Sequence, residues 1–223
     1  MSHTEQPPLT GDLHAEREDY KKHQLNRANL SGNPLDMFSG WLQQARDLPI
    51  IDATAMTLAT CNSQGLPSAR IVLLKQFDEM GFCWYTNYES RKGNELAENP
   101  QAALLFFWRE LERQVRIEGK VEKVAASQST DYFKSRPDGS RYSAAASPQS
   151  QVVPDQRWLA QRTEELQRQY PGDALERPEF WGGYRLQPVA FEFWQGRPSR
   201  LHDRFRYTKE DGQSEWTIER LAP

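Results

Sequence analysis

Cysteine is scarce in this 223-residue chain: only Cys61 and Cys83 occur. They sit in separate apolar runs and not in a CxxC pair, which argues against a disulfide framework and a cysteine zinc site. Histidine is nearly as sparse. Three of the four fall within the first 33 residues, leaving His202 alone beyond them. A multi-histidine centre is therefore not expected, and no metal is assigned. Long apolar runs are also missing. Nothing approaches the ~20 residues needed to cross a bilayer, and MSHTEQPPLTGDLHAERED at the N-terminus lacks a secretion signal's apolar core. The expectation is a cytoplasmic protein without a membrane partner. Nor is there an excess of positive charge: 28 Lys and Arg against 31 Asp and Glu leave −3. That balance speaks against a general nucleic-acid binder but leaves room for a local pocket for one small anion. GxxxxGK, GxGxxG, HExxH and GxSxG are all absent, so P-loop, Rossmann, zincin and serine-elbow chemistry have no support.

What is present is aromatic. Apolar residues make up 37% of the chain and Phe, Trp and Tyr 11%, with seven Trp, so large rings are expected to supply much of the core. A chain of this length can bury roughly 70–75% of its unfolded surface and needs no staples.

Residues 1–33 read as a flexible polar arm, and 34–223 as a single α+β domain built on an antiparallel barrel. Asn33-Pro34 opens a helix with Phe38, Trp41, Leu42 and Ala45 on one stripe, closed by Leu48-Pro49. Residues 55–61, 68–77 and 82–87 are β-rich and separated by turn chemistry, which predicts a three-strand meander. A short helix over 90–98 and strands over 102–108 and 113–124 follow. Helices are expected over 127–135 and 155–169, with a Pro-Asp-Gly turn and a small-residue segment between. Trp158, Leu159, Leu166 and Tyr170 would form the buried side of the second. Strands over 184–186, 189–194, 205–208 and 215–221 complete the pattern, the last two joined by a Glu210-Asp-Gly-Gln hairpin turn.

Basic and aromatic residues at element ends are the candidates for chemistry. Arg70 and Lys75 flank an apolar strand, which on residue statistics alone solvated strand ends explain better than a site does. Ser90-Arg91-Lys92-Gly93 stands at a helix start, where free N–H groups and two cations suit a phosphate. Tyr132, Arg136 and Ser140 offer two hydroxyls and a guanidinium, although Arg is also ordinary at a helix end. The richest stretch is Phe191-Glu-Phe-Trp194-Gln-Gly-Arg-Pro-Ser-Arg200-Leu-His202-Asp-Arg204. Alternation would place Arg200, His202 and Arg204 on one face with Leu201 inward, and three such groups repel unless an anion lies between them.

These motifs together resemble the pyridoxamine 5′-phosphate oxidase family. The resemblance rests on Glu192–Arg204, RIVLLK at 70–75, YTN at 85–87, SRK at 90–92, LERQVR at 111–116, FWGG at 180–183 and the closing RLAP. It spans about residue 17 to Pro223. It implies an FMN-binding split β-barrel working as a homodimer, with FMN at the subunit interface. The implied reaction oxidises the C4′ amine or alcohol of a B6 phosphate to the aldehyde, with O2 as acceptor and H2O2 released. Carried over by motif, the FMN contacts fall on Arg70, Ile71, Val72, Leu73, Leu74, Lys75, Tyr85, Thr86, Arg91 and Lys92. A second FMN group falls on Gln114, Gln149, Ser150, Trp194 and Arg204. Substrate contacts fall on Arg17, Glu18, Asp19, Tyr20, Lys75, Tyr132, Arg136, Ser140, Arg200, Leu201 and His202. Of these, Arg17, Tyr20, Arg200 and His202 are the implied catalytic group. The competing readings are a split-barrel flavin enzyme of another substrate and a non-catalytic FMN or pyridoxal-phosphate carrier.

Overall fold

The computed structural model describes residues 19–209 and 215–223. The chain runs α1 (Pro34–Arg46), β1 (Ala55–Cys61), β2 (Pro67–Leu73), β3 (Gln76–Asp78), β4 (Gly81–Asn87), α2 (Arg91–Glu98), β5 (Gln101–Trp108) and β6 (Arg113–Lys123). Then follow α3 (Ala126–Ser135), α4 (Asp138–Ala146), α5 (Gln156–Gln169), β7 (Trp181–Gln195), β8 (Asp203–Thr208) and β9 (Thr217–Leu221). The strands form one antiparallel sheet, ordered β2-β1-β5-β6-β7-β4-β3, with β8 also on β7 and β9 on β8. Strand β7 is the pivot. Its first half pairs with β4 and its second half with β8, while β6 follows its other edge.

Helix α1 forms as its sequence signals suggest. Asn33 Oδ1 accepts the Leu35 N–H, Pro34 fills the first turn, and Met37, Phe38, Trp41, Leu42 and Ala45 are buried on one side. Phe38 lies at the centre of the core, its ring 5.0–5.1 Å from those of Phe77, Phe82 and Phe106. A smaller cluster of Phe133, Tyr142, Leu175 and Trp181 packs α3 and α4 onto the start of β7.

Several local expectations are corrected. The predicted meander does not form, because the run over 68–77 changes partner half-way. Up to Leu73 it pairs with β1; from Gln76 it pairs with β4. Between them Leu74 turns into the core, and the Leu74 and Lys75 N–H groups donate to Thr54 and Cys83 carbonyls. The expected strands over 184–186 and 189–194 are one. Pro188 is accommodated by a bulge in β7 itself: Glu118 pairs with Ala190 and Gly119 with Pro188, leaving Val189 as the extra residue, and the absence of a Cβ on Gly119 lets the Gln187 carbonyl oxygen approach. The Pro-Asp-Gly "turn" is the start of α4, with Pro137 as its cap residue. Helix α5 has no buried residue: it lies outside α4, with Trp158, Leu159 and Leu166 half-buried and Tyr170 exposed. The Glu210–Gln213 hairpin turn lies outside the described residues.

The arm departs from expectation too. Its described part, 19–33, lies against the body, because Leu25 is an apolar anchor in a polar stretch and is only 4% exposed. Lys22 N–H donates to Glu112 Oε2 and Leu25 N–H to Asp203 Oδ2.

Candidate active site

A cleft of about 960 Å³ opens where β2 leaves the sheet, walled by β4, the start of α2 and the α3–α4 segment. Arg70, Ile71, Val72, Leu73, Lys75, Tyr85, Thr86, Lys92, Tyr132, Arg136, Ser140 and Gln149 all line it. Sequence reasoning missed other lining residues, among them Asn87, Ser143, Ser147 and Trp181. Asn87 and Trp181 stand inside the YTN and FWGG motifs, so the signal existed without a role attached.

The cleft is cationic for a structural reason. Ser90 caps α2, accepting the Gly93 N–H, and so turns Lys92 inward. The ammonium donates to Thr86 Oγ1 (3.1 Å), Ser90 Oγ (3.2 Å) and Gln149 Oε1 (2.8 Å), all neutral acceptors. Burial, helped by the Arg70 charge and opposed by Glu95, pulls its pKa down to about 8. Arg70 is tied behind it. Its guanidinium donates to the Leu58 carbonyl, Thr60 and Ser68, and pairs with Glu95 at 3.4 Å. Burial pushes the Glu95 carboxyl up, but hydrogen bonds from Ser68, Thr60 and Arg91 and the Arg70 charge outweigh it, leaving about 2. Glu95 is thus an anion that holds two arginines, while Lys92 keeps no carboxylate partner among the described residues.

At the opposite wall, Tyr132 stacks on Tyr85 with ring centroids 3.8 Å apart, and Trp181 lies parallel to both. The Arg136 guanidinium sits 4.8 Å from the Trp181 ring. One of its nitrogens, Nη1, is buried without a hydrogen-bond partner. Burial also lowers the Arg136 pKa. An orphaned guanidinium N–H and an ammonium lacking a counter-charge, in one cleft, are what an anionic ligand satisfies.

The remaining candidates gather elsewhere. Gln114, Trp194 and Arg204 lie directly opposite one another across β6, β7 and β8, and Phe107 of β5 extends the row. Cross-strand partners share one face of the sheet. Phe107 there is 52% exposed. Arg204 donates to Glu192 Oε1 (2.8 Å), whose other oxygen takes Arg116 (2.7 Å). Tyr20 packs edge-on against Trp194 and His202 at 5.6 and 5.7 Å, and those two rings are 4.6 Å apart.

The expected extended segment through Arg200 and His202 is corrected. Residues 198–200 form a 3-10 turn with positive φ at Ser199 and Arg200, and Leu201 is 70% exposed, not inward. His202 Nδ1 accepts the Arg197 N–H at 3.1 Å. Burial and the charges of Arg200 and Arg204 lower its pKa. The neutral ring therefore carries its proton on Nε2.

Some candidates enter neither group. Leu74 is core, Arg91 is exposed and held by Glu95 at 2.8 Å, Ser150 is exposed beside Gln149, and Asp19 is exposed near Lys21. Arg17 and Glu18 lie outside the described residues.

Two family models match the chain. Residues 42–170 match the model described as pyridoxamine 5′-phosphate oxidase. The chain belongs to this family. Residues 181–223 match the pyridoxine 5′-phosphate oxidase C-terminal dimerisation region, which contains the Gln114-facing part of β7, β8 and the 198–204 turn. The chain is 55% identical over 207 residues to a pyridoxine/pyridoxamine 5′-phosphate oxidase of Paraburkholderia phytofirmans, covering 93% of this chain and 97% of that one. It is 50% identical over 208 residues to the Salinibacter ruber protein of the same name, with the same coverage. Among solved structures, PhzG of Burkholderia lata, in complex with tetrahydrophenazine-1-carboxylic acid, superposes with TM-score 0.82 at 31% identity, over 88% of this chain and 95% of that one. A pyridoxamine 5′-phosphate oxidase-related, FMN-binding protein of Nostoc punctiforme superposes with TM-score 0.67 at 19% identity, covering 84% and 96%. The sheet described above is the family's split barrel. No helix among the described residues is long and apolar enough to cross a membrane.

Proposed function

We propose that this protein is an FMN-dependent oxidase that converts pyridoxine or pyridoxamine 5′-phosphate to the aldehyde. The observation that carries the reading is the pair of unmatched cations, Lys92 and Arg136, at two places in one aromatic-walled cleft. Two phosphates, one on the cofactor and one on the substrate, account for both. FMN held there would supply the two-electron acceptor, with O2 as the final oxidant.

The chain's own residues then bind and orient. Lys92 and Arg70, with Thr86 and Gln149, hold the cofactor phosphate by charge-assisted hydrogen bonds. Arg136, Lys75, Tyr132 and Ser140 hold the substrate phosphate. Arg200, His202 and Tyr20, with Arg17 of the arm, cover the substrate ring. His202 uses Nδ1 to close its own turn, so its Nε2–H is a donor that orients the substrate and not a base.

The same residues favour a homodimer with shared sites. Gln114, Trp194 and Arg204 lie on a sheet face that also exposes Phe107, while the phosphate cleft of the same chain lies with β2, β4 and α3. Ile71 is 65% exposed on the edge strand β2. A second copy covering these apolar groups would bring its Trp194 row to the first copy's cleft.

The test is H2O2 production from pyridoxine 5′-phosphate and from phosphate-free pyridoxine. The phosphate form should be the far better substrate; equal kcat/KM on both would remove the role given to Arg136. Arg136→Ala should raise KM by a factor corresponding to ~1.5–3 kcal/mol for a lost charged hydrogen bond. A second reading, a PhzG-like activity on an unphosphorylated ring, predicts no penalty for either change.

The Lys92 environment also sets a pH dependence. Its folded pKa is depressed to about 8, whereas a phosphate beside it stabilises the charged form. Cofactor binding therefore takes up a proton when Lys92 starts neutral. Flavin affinity should be flat below pH 8 and weaken as pH rises above it. Fluorescence titration of apo-protein across pH 7–10 reads this directly; affinity that strengthens with pH over that range contradicts it.

A further inference from the structure

The Asp203 carboxylate stands at a junction that the proposed chemistry does not use. It accepts the Leu25 N–H through Oδ2 at 3.1 Å, a buried bond between residues far apart in sequence. The Arg197 side chain lies 3.6 Å from the same oxygen. Oδ1 accepts from Arg220 Nη1 at 2.9 Å, and Arg220 also reaches the Leu25 carbonyl. One carboxylate thus ties the arm, the turn before His202 and the last strand.

Both segments it joins end at the same rings. Leu25 is anchored in the core, and five residues before it Tyr20 packs on Trp194 and His202. The fit is close. A Cβ on Gly196 would come within 2.7 Å of the Tyr20 ring, so this glycine gives the ring its place. On the other side, Arg197 carries both contacts of the turn: its N–H closes onto His202 Nδ1, and its guanidinium faces Asp203.

We propose that Asp203 is a positioning residue for the oxidase reaction, latching Tyr20 of the arm and His202 of the turn into a single wall. Leu25 is the arm's half of the latch. The positioning half rests on the oxidase reading above; the latch itself does not.

Two measurements separate these. Trypsin cleavage after Lys21 and Lys22, followed by mass spectrometry on the flavin-loaded protein without substrate, reads arm release. Steady-state H2O2 kinetics read positioning. Asp203→Ala and Leu25→Ala should each speed that cleavage at least tenfold, raise KM for pyridoxine 5′-phosphate at least fivefold, and leave kcat within about threefold. Bound flavin should be retained. The Asp203→Asn variant keeps the shape and one acceptor, and it decides the question if Asp203→Ala fails to fold; it should give an intermediate cleavage rate. Combining Leu25→Ala with Asp203→Asn should add little cleavage beyond Leu25→Ala alone, because both open one latch. Unchanged cleavage in the single variants overturns the latch. Faster cleavage with unchanged KM overturns the positioning role. A wild-type protein that makes no H2O2 sinks the oxidase reading instead, and the cleavage rates still judge the latch.

Discussion

Refolding a Lys92→Met chain together with an Arg200→Ala/His202→Ala chain should recover about a quarter of wild-type activity, although each is nearly inactive alone. The expectation follows from where the groups lie. Lys92 lines the cleft beside β4, whereas Arg200 and His202 belong to the turn before β8 and do not line it. In a two-fold dimer with shared sites, each site takes the cleft from one chain and the turn from the other. A mixed dimer then has one site wild-type at all three positions and one carrying every change. Random exchange makes about half the dimers mixed, hence about a quarter of full activity. If each site lay within one chain, no pairing could rebuild an intact one. Absence of recovery, with exchange demonstrated by tagged subunits, rejects the shared site. Lys92 is a cleaner choice than Arg91, whose guanidinium is exposed and engaged with Glu95.

Lys92→Met should have opposite effects on the apo-protein and the holo-protein. In the apo-protein Lys92 is a buried ammonium with only neutral partners. Replacing such a group with an apolar side chain of similar length relieves a desolvation cost and leaves stability equal or higher. The sign follows from linkage. The depressed folded pKa means the unfolded chain binds more protons between about pH 8 and its ordinary value. The penalty is therefore full below pH 8 and fades above it. Flavin binding should reverse the order. Wild-type protein with ligand at 100 Kd gains about 2.7 kcal/mol, on the order of 5–10 °C for a chain of this size. The variant, stripped of its phosphate cation, should gain almost none. Thermal scans with and without FMN measure both. A variant whose flavin-induced shift matches wild type would remove Lys92 from the phosphate site.

Glu95 explains why the two arginines near Lys92 differ from it. Four donors hold its carboxylate at about 2, so it remains an anion down to strongly acid pH. Arg70 and Arg91 contact that carboxylate directly, whereas Lys92, on the inward side of the same helix turn, feels it only through space. The position of the free cation is thus a property of packing and not of the SRK motif.

Local signals were legible in the sequence wherever the responsible interaction is local. The Asn33-Pro34 cap, the stripe through Phe38 and Ala45, the Ser90 cap and most strand spans depend on contacts within a few residues. The motif runs around Lys92 and Trp194 were legible as chemistry for the same reason, each placing cations where solvated structure explains them poorly, whereas the run around Arg70 entered only through the family resemblance. Partner exchange was not legible. Nothing within residues 68–77 reveals that the run pairs with β1 and then with β4, and nothing around Pro188 reveals that β7 runs on through it, with Val189 bulged against Glu118-Gly119 of a strand some seventy residues earlier. The arm looked wholly polar, and one buried leucine held by Asp203 decided otherwise. Tertiary structure alone separated the phosphate cleft from the Trp194 row, since alternation along one strand cannot say which distant strands share a face. It also decided which cations remain unmatched, because that depends on where the carboxylates fold. The sequence by itself determined the family, the local elements and the chemical types at the site; the fold determined which of them meet, since desolvation and charge pairing act between groups that only long-range packing brings together.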